Sequence, residues 1–259
     1  MPNKPWLASY DPEVPPALDY PESLVPDLLE QVVARFPNHT ALVFFGFSMT
    51  YAELGKAVTK CAEALHGQGI RERERVALFL PNCPHFIIAY YAILKIGAVV
   101  VPTNPLYSEK ELTFQLNDSG AETIITLDLL FPAIHKVRSQ TPLKRIVVGK
   151  IQDYLPPLKK FIYPIIAQKK TDIGPIEEKN GLVFFKTLMK RKTSPVPSPA
   201  ISPDDIAQLQ YTGGTTGTAK GAMLSHRNLV CNNAQIRSHY HVIREAQETF
   251  IAVLPFFHS

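Results

Sequence analysis

The residues best suited to chemistry form one continuous run, Tyr211-Thr212-Gly213-Gly214-Thr215-Thr216-Gly217-Thr218-Ala219-Lys220-Gly221. Four glycines let backbone N–H groups come close to a bulky anion and take up positive φ. Four threonine hydroxyls add donors, and Lys220 adds a full positive charge. Together they suit a polyphosphate better than any other common ligand. The bland alternative is a small polar surface turn. The run is not a Walker A loop: Lys220 follows Ala219 rather than glycine, and Gly221 follows it rather than Ser or Thr.

The elements that must position this run are readable on both sides of it. Ile206–Tyr211 has the pattern of a strand, and Ser225 is a suitable N-cap for a helix after the loop. That places the loop between a strand and a helix, at the carboxyl edge of a sheet, where ligands bind in α/β folds. Upstream, Val76–Leu80, Ala98–Val101, Thr123–Thr126 and Ile146–Val148 are short apolar runs alternating with helical stretches such as Pro84–Ile96. Strands buried on both faces and separated by helices predict parallel βαβ units and a doubly wound, mostly parallel α/β sheet. Thr50 with Glu53, and Ser108 with Glu111, are capping boxes that open two of the helices. Leu28, Leu29, Val32, Val33 and Phe36 mark another helix after Pro26. Ala41–Phe47 reads as one strand and Phe250–Phe257 as another.

The domain reading has four parts. Residues 1–22, with six prolines, form an extended arm, and 23–192 form an α/β region. Residues 193–203, with four prolines, form a linker. Residues 204–259 then begin a second α/β region that carries the loop and stops short of a closing element, as a fragment would.

Composition narrows the class. The 259 residues are 46 % hydrophobic and 19 % charged, as in a globular protein. The net charge of +4 is uneven: residues 144–192 hold twelve Lys and Arg against four Asp and Glu, a local +8, which leaves −4 elsewhere. This excludes a generally basic, nucleic-acid-coating protein, and the basic segment carries no recognition motif. Phe86–Leu94, ended by Lys95, falls well short of the roughly 18 apolar residues of a membrane span. The polar, Pro-rich start has no signal core. Cys61, Cys83 and Cys231 are too scattered for a zinc site or disulfide framework, which fits a reducing, cytoplasmic setting.

Beyond this physical reading, the loop resembles the phosphate-binding signature of the adenylate-forming superfamily, which contains acyl-CoA synthetases, luciferases and peptide-synthetase adenylation domains. Its usual form is Tyr-Thr-Ser-Gly-Thr-Thr-Gly-x-Pro-Lys-Gly. Gly213 stands in the Ser position and Ala219 in the Pro position. Both departures resemble the bacterial long-chain fatty acid–CoA ligases. So do Pro81-Asn82-Cys83-Pro84, Gly97–Tyr107, Leu116–Gly120, Gly221–Leu229 and the opening Lys4-Pro5-Trp6-Leu7, so the resemblance spans nearly the whole chain.

The resemblance implies a two-step reaction in which a fatty acid, ATP and coenzyme A give acyl-CoA, AMP and pyrophosphate through an acyl-adenylate. Residues 211–222, from Tyr211 to Ala222, would bind nucleotide phosphate, with Gly213–Lys220 around pyrophosphate. Lys220 and Thr216 would assist catalysis and Thr212 would contact Mg²⁺. His258, in Pro-Phe-Phe-His-Ser, matches an element whose histidine lies beside the acyl carboxylate. Its plain alternative is a packed core histidine. Each donor aimed at developing charge would be worth about 2.7–4 kcal/mol of barrier. The family's later elements, including a Mg²⁺ glutamate, a ribose aspartate and a C-terminal lysine, have no counterpart here, so the chain is expected to be an N-terminal portion inactive alone. The alternatives are a ligase for a medium-chain or aromatic acid and a non-catalytic nucleotide-binding fragment.

Other features read more plainly. Ser225-His226-Arg227-Asn228 has hydrolase-like composition but no nucleophile elbow, and suits a helix start with surface polar residues. Asn82 and Asn104 look like turn formers. Gly67 and Gly69 lack the rest of a dinucleotide motif. Residues 154–170 interleave large apolar residues with paired lysines, which suits either a helix packed on its own domain or peripheral contact with an anionic membrane. An exposed apolar edge at 250–257 would favour homo-oligomers.

Overall fold

A computed structural model describes residues 4–166, 175–213 and 219–258. Its frame is a seven-stranded sheet. β3 (Arg75–Phe79), β4 (Val99–Thr103) and β5 (Thr123–Leu127) are buried along almost their whole length, as their unbroken apolar runs require. β6 (Arg145–Gly149) and β7 (Leu182–Phe184) extend the sheet beyond β5, and β8 (Ile206–Thr212) and β9 (Lys220–Ser225) extend it beyond β4. The order is β7-β6-β5-β3-β4-β8-β9, with every pairing parallel except β8 with β9. A small antiparallel hairpin, β1 (Thr40–Phe44) with β2 (Phe47–Thr50), stands apart.

Helices cover both faces. α1 (Val25–Arg35), α2 (Tyr51–Gly67) and α3 (Pro84–Lys95) bury Leu65, Ile88 and Ile93 with Leu78 and Val100 of the sheet. On the other face α4 (Glu109–Ser119) and α5 (Phe131–Val137) enclose Phe79, Leu112, Leu116 and Ile134. The fold is therefore the expected doubly wound α/β sheet. The capping boxes form as expected: the Glu53 N–H donates to Thr50 Oγ1 at 3.3 Å and the Thr50 N–H to Glu53 Oε2 at 2.8 Å. Ser108 and Glu111 make the same pair at the head of α4.

Several expectations are corrected. Ala41–Phe47 is not one strand: the chain reverses at Phe45 and Gly46, which both have positive φ, and returns as β2. The segment after the glycine–threonine loop is not directly a helix. It returns first as β9, antiparallel to β8, and α8 (His226–His239) then starts at the expected Ser225 N-cap. Strand 206–212 does not open a separate sheet, because the Pro-rich stretch leads it back to pair with β4 through Val100 and Gln208. Phe250–Phe257 is not a strand. No described strand pairs with it, and Ile251 and Leu254 are more than 80 % exposed. The arm is anchored on α8, with Arg227 bridging Glu22 and Asp204 and the Gln235 amide donating to the Tyr20 hydroxyl.

The parallel strands all point their carboxyl ends to one edge. Asn82, Asn104, Asp128, Lys150 and the loop after β8 follow β3, β4, β5, β6 and β8 there, the edge at which α/β sheets bind ligands.

Candidate functional site

The glycine–threonine loop is the tip of the β8–β9 hairpin. Gly214, Thr215, Thr216, Gly217 and Thr218 lie outside the described residues, so the site is built from the strands that present them. In β8 successive side chains alternate between faces. The antiparallel register sets Thr212 opposite Lys220 and Tyr211 opposite Gly221. Directly opposed residues share a face, so Thr212 and Lys220 stand together on one side, both exposed.

Tyr211 fixes the other side. Its hydroxyl donates to Asp118 Oδ2 at 2.5 Å, at the end of α4. Burial, and then that hydrogen bond, push the phenol well above its ordinary value and keep it a neutral donor. The ring lies over Gly221, where an added Cβ would stand 3.0 Å from Tyr211 Cζ. A side chain there would require the Tyr211 ring to give by a few tenths of an ångström. Gly213 is different: a Cβ there meets no described atom within 4 Å. Gly213→Ser, which restores the usual signature, is therefore expected to leave stability within about 0.5 kcal/mol, as chemical unfolding would check. Ala219 is half-buried against the α4 side of the core, and Ala222 is exposed on β9.

The face of Thr212 also carries Gln208 and Gln210, both nearly buried. Buried amides demand partners, and these form a relay. The Tyr90 hydroxyl donates to Gln208 Oε1 at 2.9 Å, Gln208 Nε2 to Gln210 Oε1 at 2.6 Å, and Gln210 Nε2 to the Phe257 carbonyl at 3.1 Å. Asn82 clamps the same segment, donating to the carbonyls of Ala252 and Leu254 and accepting from the Phe256 N–H, at 2.8–2.9 Å. These contacts hold residues 252–257 against β8 and Asn82, and the exposed His258 follows directly after the Phe257 carbonyl. Thus, of the described members of the expected set, Thr212 and Lys220 stand side by side on the hairpin, and His258 lies on the separate 250–258 segment.

Asn82, Gln208, Gln210 and Asp118 are the positioning residues that sequence reasoning missed. The available signal was the alternation Gln208, Gln210, Thr212 in an otherwise apolar strand. Asn104 is the turn former expected, accepting from the Leu106 N–H at 2.9 Å. Ser225 and Asn228 cap α8 reciprocally, as a helix start should. His226 is not a surface residue: it is buried, and its Nδ1 accepts from the Val25 N–H at 3.1 Å. Burial holds its pKa below the usual histidine value. Among the described residues no three His, Cys, Asp or Glu side chains gather to hold a metal, and no helix is long and apolar enough to cross a membrane.

The fold and the hairpin define an α/β domain that carries a glycine–threonine run and Lys220 at the carboxyl edge of its sheet. The chain belongs to the AMP-binding enzyme family, whose sequence model matches residues 29–259. It is 40 % identical to a long-chain-fatty-acid–CoA ligase of Bacillus subtilis (strain 168) over 256 residues, covering 98 % of this chain and 46 % of the relative. A ligase of the same name from Escherichia coli O157:H7 is 34 % identical over 260 residues, with the same coverage. The crystal structure of a long-chain-fatty-acid-CoA ligase from Archaeoglobus fulgidus superposes with a TM-score of 0.74 at 26 % identity, covering 96 % of this chain and 45 % of that one. The chain thus spans about half the length of the curated relatives it matches.

Proposed function

We propose that the chain is the phosphate-binding portion of an ATP-dependent long-chain fatty acid–CoA ligase. The observation that carries this reading is the pairing of Thr212 with Lys220 at the mouth of a glycine–threonine hairpin on the carboxyl edge of the sheet. In the first step a carboxylate oxygen of the fatty acid attacks the α-phosphorus of ATP, and the bond to pyrophosphate breaks. In the second, the sulfur of coenzyme A attacks the acyl carbon, AMP leaves, and the thiol proton is released. The difficulty of the first step is that two anions must be held together while charge moves onto pyrophosphate.

Lys220 and the loop donors meet that charge. His258, which follows the segment held by Gln210 and Asn82, would lie beside the carboxylate and the adenylate, as the resemblance implies. A Mg²⁺ ion keeps several waters and needs only one or two protein oxygens beside phosphate oxygens, so the exposed Thr212 hydroxyl fits as one contact. When bound, the ion would neutralise phosphate charge. The free thiols Cys61, Cys83 and Cys231 suit a reducing cytoplasm. Peripheral contact with an anionic membrane through 154–170 would bring the enzyme to substrates that partition into lipid. Homo-oligomers would cover the exposed side chains of 250–254.

The test is acyl-adenylate formation, followed by mass spectrometry, in a full-length ligase carrying this chain and offered short, medium, long and aromatic acids. Highest yield with long-chain acids is expected. A maximum with medium or aromatic acids favours a different acid–thiol ligase, and no adenylate with any acid favours a nucleotide-binding module without catalysis.

A further inference from the structure

At the same edge of the sheet, but four strand positions from β8 and so about 20 Å away, the ends of β6 and β7 enclose a second polar cavity. Its volume is about 390 Å³, and Lys150, Lys160, Lys186 and Lys190 line it with Thr187 and Asp153. Lys150 follows β6, Lys160 lies on α6 (Pro157–Ile166), and Lys186 lies on α7 (Phe185–Leu188) after β7. Four cations from three elements therefore meet in one concavity.

The charge of the cavity is not cancelled internally. Elsewhere in the basic stretch, Lys144 pairs with Glu122, Arg145 with Glu74 and Lys179 with Glu177. Among the described residues none of the four cavity lysines lies within ion-pair distance of a carboxylate. Asp153 is engaged elsewhere: its Oδ2 accepts from the Lys150 N–H at 3.0 Å and lies 3.4 Å from Nε2 of buried His85. Counting Asp153 as an anion leaves a net charge of about +3, which suits a phosphate ester.

The helix that brings Lys160 to the cavity distinguishes a lipid headgroup from a dissolved ester. On α6, Leu158 and Phe161 are 72 % and 80 % exposed. At i and i+3 they share a helix face. Lys159 Nζ donates to the Phe45 carbonyl at 2.8 Å, tying the β1–β2 turn to this helix, and Val43 and Phe45 of that hairpin are also about two-thirds exposed. Large apolar side chains beside clustered lysines are what an anionic bilayer surface recognises.

We infer that the cavity between the ends of β6 and β7 is a phosphate-headgroup site for an anionic membrane, with Leu158 and Phe161 entering the lipid beside it. This rests on the peripheral-membrane reading above but moves the charge contacts largely outside 154–170, onto Lys150, Lys186 and Lys190. The test is sedimentation at low salt with vesicles of phosphatidylcholine alone and of phosphatidylcholine with phosphatidylglycerol.

The wild type and a Lys144→Gln/Lys179→Gln control are expected to pellet only with the anionic vesicles. Lys150→Gln/Lys186→Gln/Lys190→Gln is expected to bind at least tenfold more weakly, and Leu158→Ser/Phe161→Ser several-fold more weakly. If the triple variant unfolds, the exposed single changes Lys186→Gln and Lys190→Gln should each weaken binding by about fivefold. A wild type that ignores anionic vesicles overturns both the membrane reading and this site. Binding that survives the triple change, or is lost equally in the control, overturns the cavity alone and leaves the membrane reading standing. Release from vesicles by glycerol 1-phosphate at an equal phosphate concentration would make this a free-ester site and overturn the lipid assignment.

Discussion

Lys220→Ala in a full-length ligase carrying this chain is expected to slow adenylate formation by on the order of 10²-fold or more, with a smaller effect on transfer to coenzyme A. Lys220 opens β9 opposite Thr212 at the mouth of the loop, and under the proposed function its ammonium would meet the charge that accumulates as pyrophosphate leaves. The effect should fall on kcat for the first half-reaction, because this charge is greatest in the transition state. Thr216→Ala, within the loop, is expected to act in the same direction. The thiol step uses no new pyrophosphate charge and should be slowed less. Single-turnover measurements of each half-reaction separate the two.

Gly221→Ala should have the second-largest effect, for a steric reason. The new Cβ would press on Tyr211, whose ring is buried and whose hydroxyl is held by Asp118 at 2.5 Å. The ring must give by a few tenths of an ångström against its bond to Asp118, or the hairpin must shift. A loss of about 1–3 kcal/mol in stability is expected. A small displacement of the loop should cost about 10²-fold in adenylate formation. Removing the obstructing ring tests the cause: Gly221→Ala/Tyr211→Ala should be scarcely worse than Tyr211→Ala alone, a coupling expected only of residues in contact. Additive losses in the double variant would show that the glycine matters for another reason.

The parts of this fold that were legible in the sequence are those encoded locally. Val76–Leu80 and Thr123–Thr126 announce doubly buried parallel strands because every side chain in them is apolar or small. Thr50 with Glu53, and Ser108 with Glu111, announce helix starts because the two side chains satisfy backbone donors within one turn. The loop itself was legible because glycine and threonine at such density have few other uses.

What could not be read depends on partners distant in the chain. Lys220–Ser225 does not alternate in polarity, and it becomes a strand only because β8 offers an edge to pair with. β7 is three residues long, too short for periodicity to register. Phe250–Phe257 has the composition of a strand, yet composition does not supply a neighbour, and the segment is held instead by the Asn82 side chain. Asn82 looked like a turn former because its partners lie some 170 residues further on. The two glutamines of β8 were visible, but their relay from Tyr90 to Phe257 appears only when α3, β8 and the 250–258 segment are packed together.

Acyl-adenylate formation at the β8–β9 hairpin can be measured as acid-dependent exchange of labelled pyrophosphate into ATP by a full-length ligase carrying this chain, without coenzyme A. Exchange is expected to require a long-chain fatty acid, to proceed without the thiol, and to fall by about two orders of magnitude with Lys220→Ala. Exchange that needs no acid, or that Lys220→Ala leaves unchanged, would contradict the assignment of the β8–β9 hairpin as the pyrophosphate cradle of an acyl-adenylating enzyme.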